Sequence, residues 1–360
     1  MFTPRANNLP GSLLTRRSQT FALRRNRVEF TWLVVWLAIA LSLPQWLDRF
    51  HLHLVNLSLL AAMGAIPLNL LTGNARLVSL GQAAFLAVGG FTAGILANEY
   101  GFPFLAVLPM AAVFGGILGL LVALPSLRLK ALYVAVTTLA LHYLTTVVLG
   151  IVQAQVLQSS GMGIPVAEIV SVRLLRPAEW FYFLLVASGA FMLAALNLLR
   201  SNFGRVWMAV ADHDIAAETL GIRVGRAKVT VFVISSAMVS IAGAVGAYYI
   251  GTVTYEFYNL PLAIMYLAMI IVGGLGSIRG SVIGAFTITL LPYIIDGLMK
   301  VLGIGLDGGS LNGMHSILYG ALIIAFLLFE PRGINELWRR VRVFFAQFPF
   351  RYESTQREGG

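Results

Sequence analysis

Cysteine is absent from these 360 residues, which excludes disulfides, thiolate metal sites and cysteine nucleophiles. Charge is scarce as well: Asp, Glu, Lys and Arg make up 11% of the chain, against about 25% in a soluble domain. Lysine occurs only at Lys130, Lys228 and Lys300, preceded by Leu129, Ala227 and Met299. A P-loop needs a Gly-Lys pair to hold phosphates, so there is no Walker A segment, nor a polar region large enough for an ATPase domain. The histidines are His51, His53, His142, His213 and His315, and their spacing offers no metal or catalytic cluster. No cofactor site is legible, and the chain does not read as an enzyme. Carboxylates are nearly missing from the middles of the apolar runs, where Asp296 lies close to an end. Proton- and ion-coupled transporters generally carry such groups at membrane depth, so the absence weighs against one.

What fills the chain is apolar. Hydrophobic residues make up 58% of it and the mean hydropathy is +0.84. A bilayer span needs about 20 mostly apolar residues, and ten apolar segments can be marked: Thr31–Leu47, Leu52–Leu71, Leu77–Ala97, Phe104–Leu124, Leu132–Val152, Trp180–Leu199, Val229–Ile250, Leu262–Val272, Val282–Met299 and Gly313–Phe329. The runs are continuous rather than alternating, which sets a β-barrel aside. The pattern predicts an all-α polytopic membrane protein of about ten, or eight to ten, transmembrane helices, some broken or re-entrant. Leu262–Val272 is too short to span alone; it extends through Gly273-Gly274-Leu275-Gly276 or breaks there.

The net charge is +10, but its placement is that of a topology signal and not of a nucleic-acid surface. With the amino terminus in the cytoplasm and the segments alternating, 21 of the 25 basic residues fall on the cytoplasmic side. The outer side keeps Arg49, Arg173, Arg176 and Lys300. That asymmetry fits the positive-inside rule and an even number of spans. Ala38-Ile39-Ala40 resembles a signal-peptidase site, but the apolar run continues past it to Leu43, so the segment reads as a span. The expected organisation is a basic cytoplasmic segment 1–30, a transmembrane domain 31–330 and a basic cytoplasmic tail 331–360. The expected location is a bacterial cytoplasmic (inner) membrane, with both termini cytoplasmic.

Gly81, Gly89, Gly90 and Gly94 crowd the third segment, and Gly115, Gly116 and Gly119 the fourth. Small residues at this spacing let helix backbones approach closely; a broken helix lining a pathway is the alternative. Asn56, Asn69, Gln82, Thr137, Thr138, His142, Asn197 and His315 are polar at membrane depth. Each reads either as an interhelical hydrogen bonder or as part of a translocation path, for which Asn69, Gln82, Thr137 and His142 are the candidates.

One charged island, residues 200–228, interrupts the apolar pattern between two long segments. Its centre is Asp212-His213-Asp214-Ile215-Ala216-Ala217-Glu218-Thr219-Leu220-Gly221-Ile222. The residues predict a short helix from Asp212 to Leu220, with Asp212 as N-cap and Gly221 as the left-handed terminator. Nine residues make about 14 Å of helix, too little to be stable alone in water. It must pack on its own bundle, on the membrane or on a partner. Ile215, Ala216, Leu220 and Ile222 supply apolar contact, and Ala216 and Ala217 admit a close approach.

This island resembles the cytoplasmic coupling motif of ABC importer permeases of the branched-chain amino acid type, with the LivM-type subunit the nearest subtype. Asn202-Phe203-Gly204-Arg205 before it resembles that family's Gly-Arg lead-in. Leu68-Asn69-Leu70-Leu71-Thr72-Gly73 followed by Ser79-Leu80-Gly81-Gln82-Ala83-Ala84-Phe85 resembles its glycine-bounded turn and Ser-Leu-Gly-His/Gln-Ala-x-Phe segment. Gly273-Gly274-Leu275-Gly276 and Pro331-Arg332-Gly333 resemble its Gly-Gly-Leu-Gly loop and closing Pro-Arg-Gly. The motifs occur in family order between Leu68 and Gly333.

The resemblance implies a permease subunit of an ATP-driven importer that forms its path with a second, usually different, permease. ATP-binding ABC subunits would bind below, as separate chains, and a periplasmic or lipid-anchored binding protein would deliver the solute. The coupling residues carried over are Asp212, His213, Asp214, Ala216, Ala217, Leu220, Gly221 and Ile222. The implied solute is a branched-chain or other apolar amino acid, with urea or a short amide as the alternative and a secondary transporter or channel as the competing class. Two departures stand out. Asn74-Ala75-Arg76 replaces small or aromatic residues and puts a charge at the membrane boundary, and Arg279 stands where the family often has an aromatic residue.

Overall fold

The computed structural model describes residues 41–126, 131–156, 161–169 and 172–301, together with 320, 321, 324 and 334. Ten helices are numbered here among these residues. The long ones are α1 (Arg49–Asn69, continued by a π turn Leu70–Asn74), α2 (Gln82–Glu99), α3 (Phe104–Ser126), α4 (Ala131–Ile151) and α5 (Pro177–Arg200). The short helices α6 (Asn202–Asp212) and α7 (Asp214–Thr219) lead into α8 (Val224–Ile250), α9 (Leu260–Gly273) and α10 (Ile278–Val301). The 27 residues of α8 make about 40 Å of helix, enough to cross a bilayer with tilt.

Seven helices among the described residues are long and apolar enough to cross a membrane, so this is an all-α, multi-pass architecture. The expected eight to ten are not reached within those residues. Thr31–Leu47 lies mostly outside them and Gly313–Phe329 almost entirely so. Leu77–Ala97 becomes α2, which starts five residues later and is rich in glycine and alanine. The short eighth segment is lengthened by a 3-10 turn, so that Tyr255–Gly273 reaches 19 residues. It breaks at Gly274 (φ +115°) and Gly276 (φ +79°), and α10 starts at Ile278, just past the glycine motif.

The helices run up and down between two ends. At one end, two short antiparallel pairs close the loops: Met162–Gly163 with Thr252–Val253, and Glu168–Ile169 with Val172–Arg173. Asn98 Nδ2 at the end of α2 donates to the Gly163 carbonyl at 2.7 Å. Phe104, Trp180, Phe183 and Tyr248 meet there in T-shaped contacts.

The centre of the bundle is α1, α2 and α8, which are buried on most sides, whereas α3, α4 and α5 leave broad apolar faces outward. Lipid tails are as apolar as leucine, so close packing rather than water exclusion must hold the centre together. Glycine makes this contact. A Cβ at Gly89 would collide with the Ser240 carbonyl, and one at Gly243 with the Leu86 carbonyl, so α2 and α8 touch backbone to backbone. Ser240 Oγ donates across the seam to the Phe85 carbonyl at 2.8 Å. Gly115 and Gly119 admit Ser240 and Ser236 against α3 in the same way. Gly90 and Gly94 do something else: they face Tyr258, Val253 and Met162 at the strand-pair end.

Candidate functional site

The island emerges at the end opposite the strand pairs, between α5 and α8. Gly204 makes the tight turn out of α5, since a Cβ there would strike the backbone of Leu199. Arg205 donates to the Asn202 side chain, and Ser201 Oγ donates to the Leu198 carbonyl at 2.6 Å. α6 is amphipathic. Its Trp207 is buried and donates from Nε1 to Thr230 Oγ1 at 3.1 Å, which pins α6 to the first turns of α8.

The short helix of the island differs from expectation at its start. Asp212 is not an N-cap: it is the last residue of α6, and His213 (φ −154°, ψ 102°) separates the two helices and caps α7. α7 is therefore six residues, not nine. The reason is tertiary. Asp212 is drawn sideways into an ion pair with Arg76, Nη2 to Oδ1 3.2 Å, while Arg76 Nη1 donates to the Ala211 carbonyl at 3.3 Å. The first turn of α7 keeps an acid, Asp214, whose Oδ1 accepts from the Ile215 N–H at 2.9 Å.

The end of α7 is as expected. Gly221 has φ +80°. Its N–H donates to the Glu218 carbonyl at 2.9 Å and the Ile222 N–H donates to the Ala217 carbonyl at 3.0 Å. That bond pair is the Schellman motif, which satisfies carbonyls that a helix end leaves open. Ala217 is buried under the helix, while Ile215 is 77% and Leu220 81% exposed. His213, Asp214, Ala216 and Gly221 are exposed as well, and Ile222 is half-buried. Beside α7 a cleft of about 550 Å³ is lined by Glu218, Arg223, Val224, Arg226 and Val229. The segment thus presents a rigidly terminated helix with two large aliphatic side chains pointing away from its own bundle.

The four path candidates do not meet at one place. Asn69 is completely buried, and its amide is spent on the glycine loop. Nδ2 donates to the Ser277 carbonyl (2.9 Å) and Ser281 Oγ (2.6 Å), and Oδ1 accepts from the Gly276 N–H (2.8 Å). Gln82 is buried at the start of α2, with Nε2 donating to the Gly64 carbonyl at 2.9 Å. Thr137 is half-buried and donates back to the Tyr133 carbonyl at 3.0 Å. His142 is buried, and its Nδ1 has no hydrogen-bond partner among the described residues. It shares one face of α4 with buried Thr138 and Thr145, at i, i+4 and i+7 spacing.

At the strand-pair end of that helix lies a cleft that sequence reasoning did not find. It measures about 570 Å³ and is lined by Thr146, Gly150, Gln153, Gln155, Tyr255 and Glu256. Buried Gln153 braces it, accepting from the Tyr255 N–H at 3.0 Å and donating to Thr254 Oγ1 at 3.2 Å. Its two walls are about 100 residues apart in the chain, so no local pattern announces it. Among the described residues no cluster of three His, Asp or Glu side chains is placed to hold a metal ion. His315 and Pro331-Arg332-Gly333 lie outside the described residues.

Comparison with known proteins follows the same lines. Residues 50–327 match the family described as the branched-chain amino acid transport system, permease component. The chain is 25% identical over 331 residues to the high-affinity branched-chain amino acid transport system permease protein LivM of Escherichia coli K12, covering 85% of this chain and 75% of that one. It is 28% identical to the autoinducer 2 import system permease protein LsrC of Escherichia coli, covering 88% of this chain and 91% of that one. It is also 26% identical to a probable branched-chain amino acid transport permease LivH of Methanocaldococcus jannaschii, over 80% of this chain and 91% of that one. No solved structure matches the chain significantly.

Proposed function

The chain belongs to the branched-chain amino acid transport system permease family, and from that membership we propose that it is the membrane-spanning permease subunit of an ATP-driven importer. The observation that carries the reading is α7: a short helix, terminated by Gly221 and anchored through Ala217, that offers Ile215 and Leu220 to a partner. The partner is an ABC ATPase subunit, a separate chain; Asp212, His213, Asp214, Ala216, Leu220, Gly221 and Ile222 meet it, and buried Ala217 seats the helix against its own bundle. A second permease covers part of the outward apolar faces, lipid the rest, and a binding protein delivers the solute at the strand-pair end. That end faces outward, because the basic residues described there are Arg49, Arg173, Arg176 and Lys300, while Arg76, Arg200, Arg205, Arg223, Arg226, Lys228 and Arg279 gather at the other. Both termini are then cytoplasmic, with 1–30 and 331–360 as basic flanking segments.

The solute is a branched-chain or other apolar amino acid. It enters beside the cleft of Gln153 and Glu256 and passes the buried face of His142. Asn69 and Gln82 serve by holding the path's walls, since their amides are engaged within the bundle. The LsrC relative, named for an autoinducer 2 import system, favours a second reading, a solute other than an amino acid, on the strength of its coverage.

The test is reconstitution of the complete transporter in liposomes with leucine and isoleucine as probes. ATP-dependent uptake that needs all chains supports the reading. Uptake without ATP, or by this chain alone, refutes it.

A further inference from the structure

Arg76 is the residue that neither the family pattern nor the coupling helix accounts for. It stands at φ +53°, the one non-glycine residue with positive φ among the described residues. An L-residue pays for that conformation, and such strain persists only where the surroundings impose it. Here both neighbours are tied to the last turn of α1. The Ala75 N–H donates to the Leu70 carbonyl, the Leu77 N–H donates to the Leu71 carbonyl, each at 3.1 Å, and Thr72 Oγ1 donates to the Leu77 carbonyl at 3.3 Å. The backbone of Arg76 therefore moves with the end of α1.

Its side chain moves with something else. The guanidinium holds the Ala211 carbonyl and the Asp212 carboxylate, the last groups of α6, immediately before the coupling helix. A cation at a helix C-terminus is favoured by the open carbonyls and the helix dipole. Among the described residues the island is attached to the bundle through its connections to α5 and α8, the second reinforced by Trp207 and Thr230, and through buried Val210 and Ala217. The attachment through Arg76 reaches the most buried helix of the bundle.

What lies behind Arg76 is built to carry displacement. The π turn Leu70–Asn74 ends α1, and π turns inside helices are frequent at functional sites. Gly73 lets the glycine loop press onto that turn, because a Cβ there would strike the backbone N of Gly276. Asn69 then clamps the loop through Gly276, Ser277 and Ser281. A small apolar cluster of Ile66, Leu70, Ala195, Leu199 and Ile278 locks the same end of α1 to α5 and α10.

We propose that Arg76 is the positioning residue that passes movement of the coupling segment to α1 and, through Asn69, to the break between α9 and α10. The proposal rests on the importer reading. The ion pair is exposed on both sides, 65% and 68%, so it adds little stability; what it supplies is direction.

The test uses the complete transporter in proteoliposomes, with leucine as the probe. The readouts are leucine moved per ATP hydrolysed, affinity for the ATPase subunit and thermal stability. Arg76→Gly relieves the backbone strain while removing the side chain, so it is expected to be at least as stable as the wild type. It is expected to bind the ATPase equally well and to move about threefold less leucine per ATP or worse. Asp212→Arg alone should also lower the leucine moved per ATP, and the exchange R76D/D212R should recover at least half of that loss. An unchanged leucine-to-ATP ratio in Arg76→Gly overturns the proposal. So does a weakened ATPase affinity, which would make Arg76 a partner contact, and so does an exchange no better than the single variants. A wild-type transporter that moves no leucine with ATP overturns the importer reading itself, so the two failures are separable.

Discussion

Replacing Gly221 with alanine isolates one conformational contribution to coupling. Gly221 is held at φ +80°, and an added Cβ would meet nothing within 4 Å. Crowding therefore plays no part, and the cost is that of keeping an L-residue left-handed, about 1–2 kcal/mol. This is a factor of about 5–30 in a local equilibrium. α7 has six residues, and so short a helix is marginal in water. If it is about half-formed before docking, Gly221→Ala lowers the formed fraction to between about one sixth and one thirtieth. Apparent affinity for the ATPase subunit then falls about 3- to 15-fold. Asparagine tolerates the left-handed region better, so Gly221→Asn should fall between alanine and the wild type. The assay is a titration of the ATPase subunit onto the permease pair in nanodiscs, with thermal unfolding of the spans followed in parallel. Wild-type affinity in Gly221→Ala would refute α7 as the element whose formation limits docking. A loss of span stability of similar size would refute the claim that the effect is local.

Ala217→Trp inserts a large ring where the side chain is 3% exposed, an overpacking of about 1–3 kcal/mol. ATP hydrolysis is expected to continue while leucine uptake falls, and normal uptake by a well-expressed variant would end the docking role. Gly89→Val drives a side chain into the Ser240 carbonyl and should lower the melting temperature sharply. Gly189→Ala, with open space around it, should not, and equal melting of the two would contradict the backbone seam. Asn69→Ala leaves the half-buried Gly276 N–H without its partner, while the Ser277 carbonyl keeps the Ser281 N–H, so the loss is expected within about 1–3 kcal/mol for one unpaired group; an unchanged melting curve would show that the clamp is not structural. His142→Leu removes a buried acceptor without a partner among the described residues and should leave stability equal or higher while slowing leucine uptake. Unchanged uptake kinetics would take His142 off the path.

Several local features were legible because their causes are local. Gly221 was readable as a helix terminator because only glycine adopts that backbone freely, and the Schellman bonds of Glu218 and Ala217 follow from it. The glycine motif after α9 marked the place but left extension and break both open; its positive-φ glycines decide for the break. The start of the coupling helix was not. An aspartate at Asp212 has the chemistry of a cap, but Arg76, more than 130 residues earlier, competes for its carboxylate. The role of Asn69 was hidden for the same reason: a buried amide looks alike whether it faces a solute or a loop some 200 residues away.

Composition and periodicity by themselves determined that the chain is helical and membrane-embedded, which end carries the charge, and where the short docking helix ends. These follow from what each residue does in water, in hydrocarbon or in its own backbone. Tertiary structure alone decided that Gly89 and Gly243 form one seam, that Asn69 clamps the glycine loop, that Arg76 ties the coupling segment to α1, and that Gln153 and Tyr255 share a cleft. Each of these depends on which distant backbone groups are brought within hydrogen-bonding or van der Waals distance. Hydropathy is summed along the chain and holds no record of that pairing.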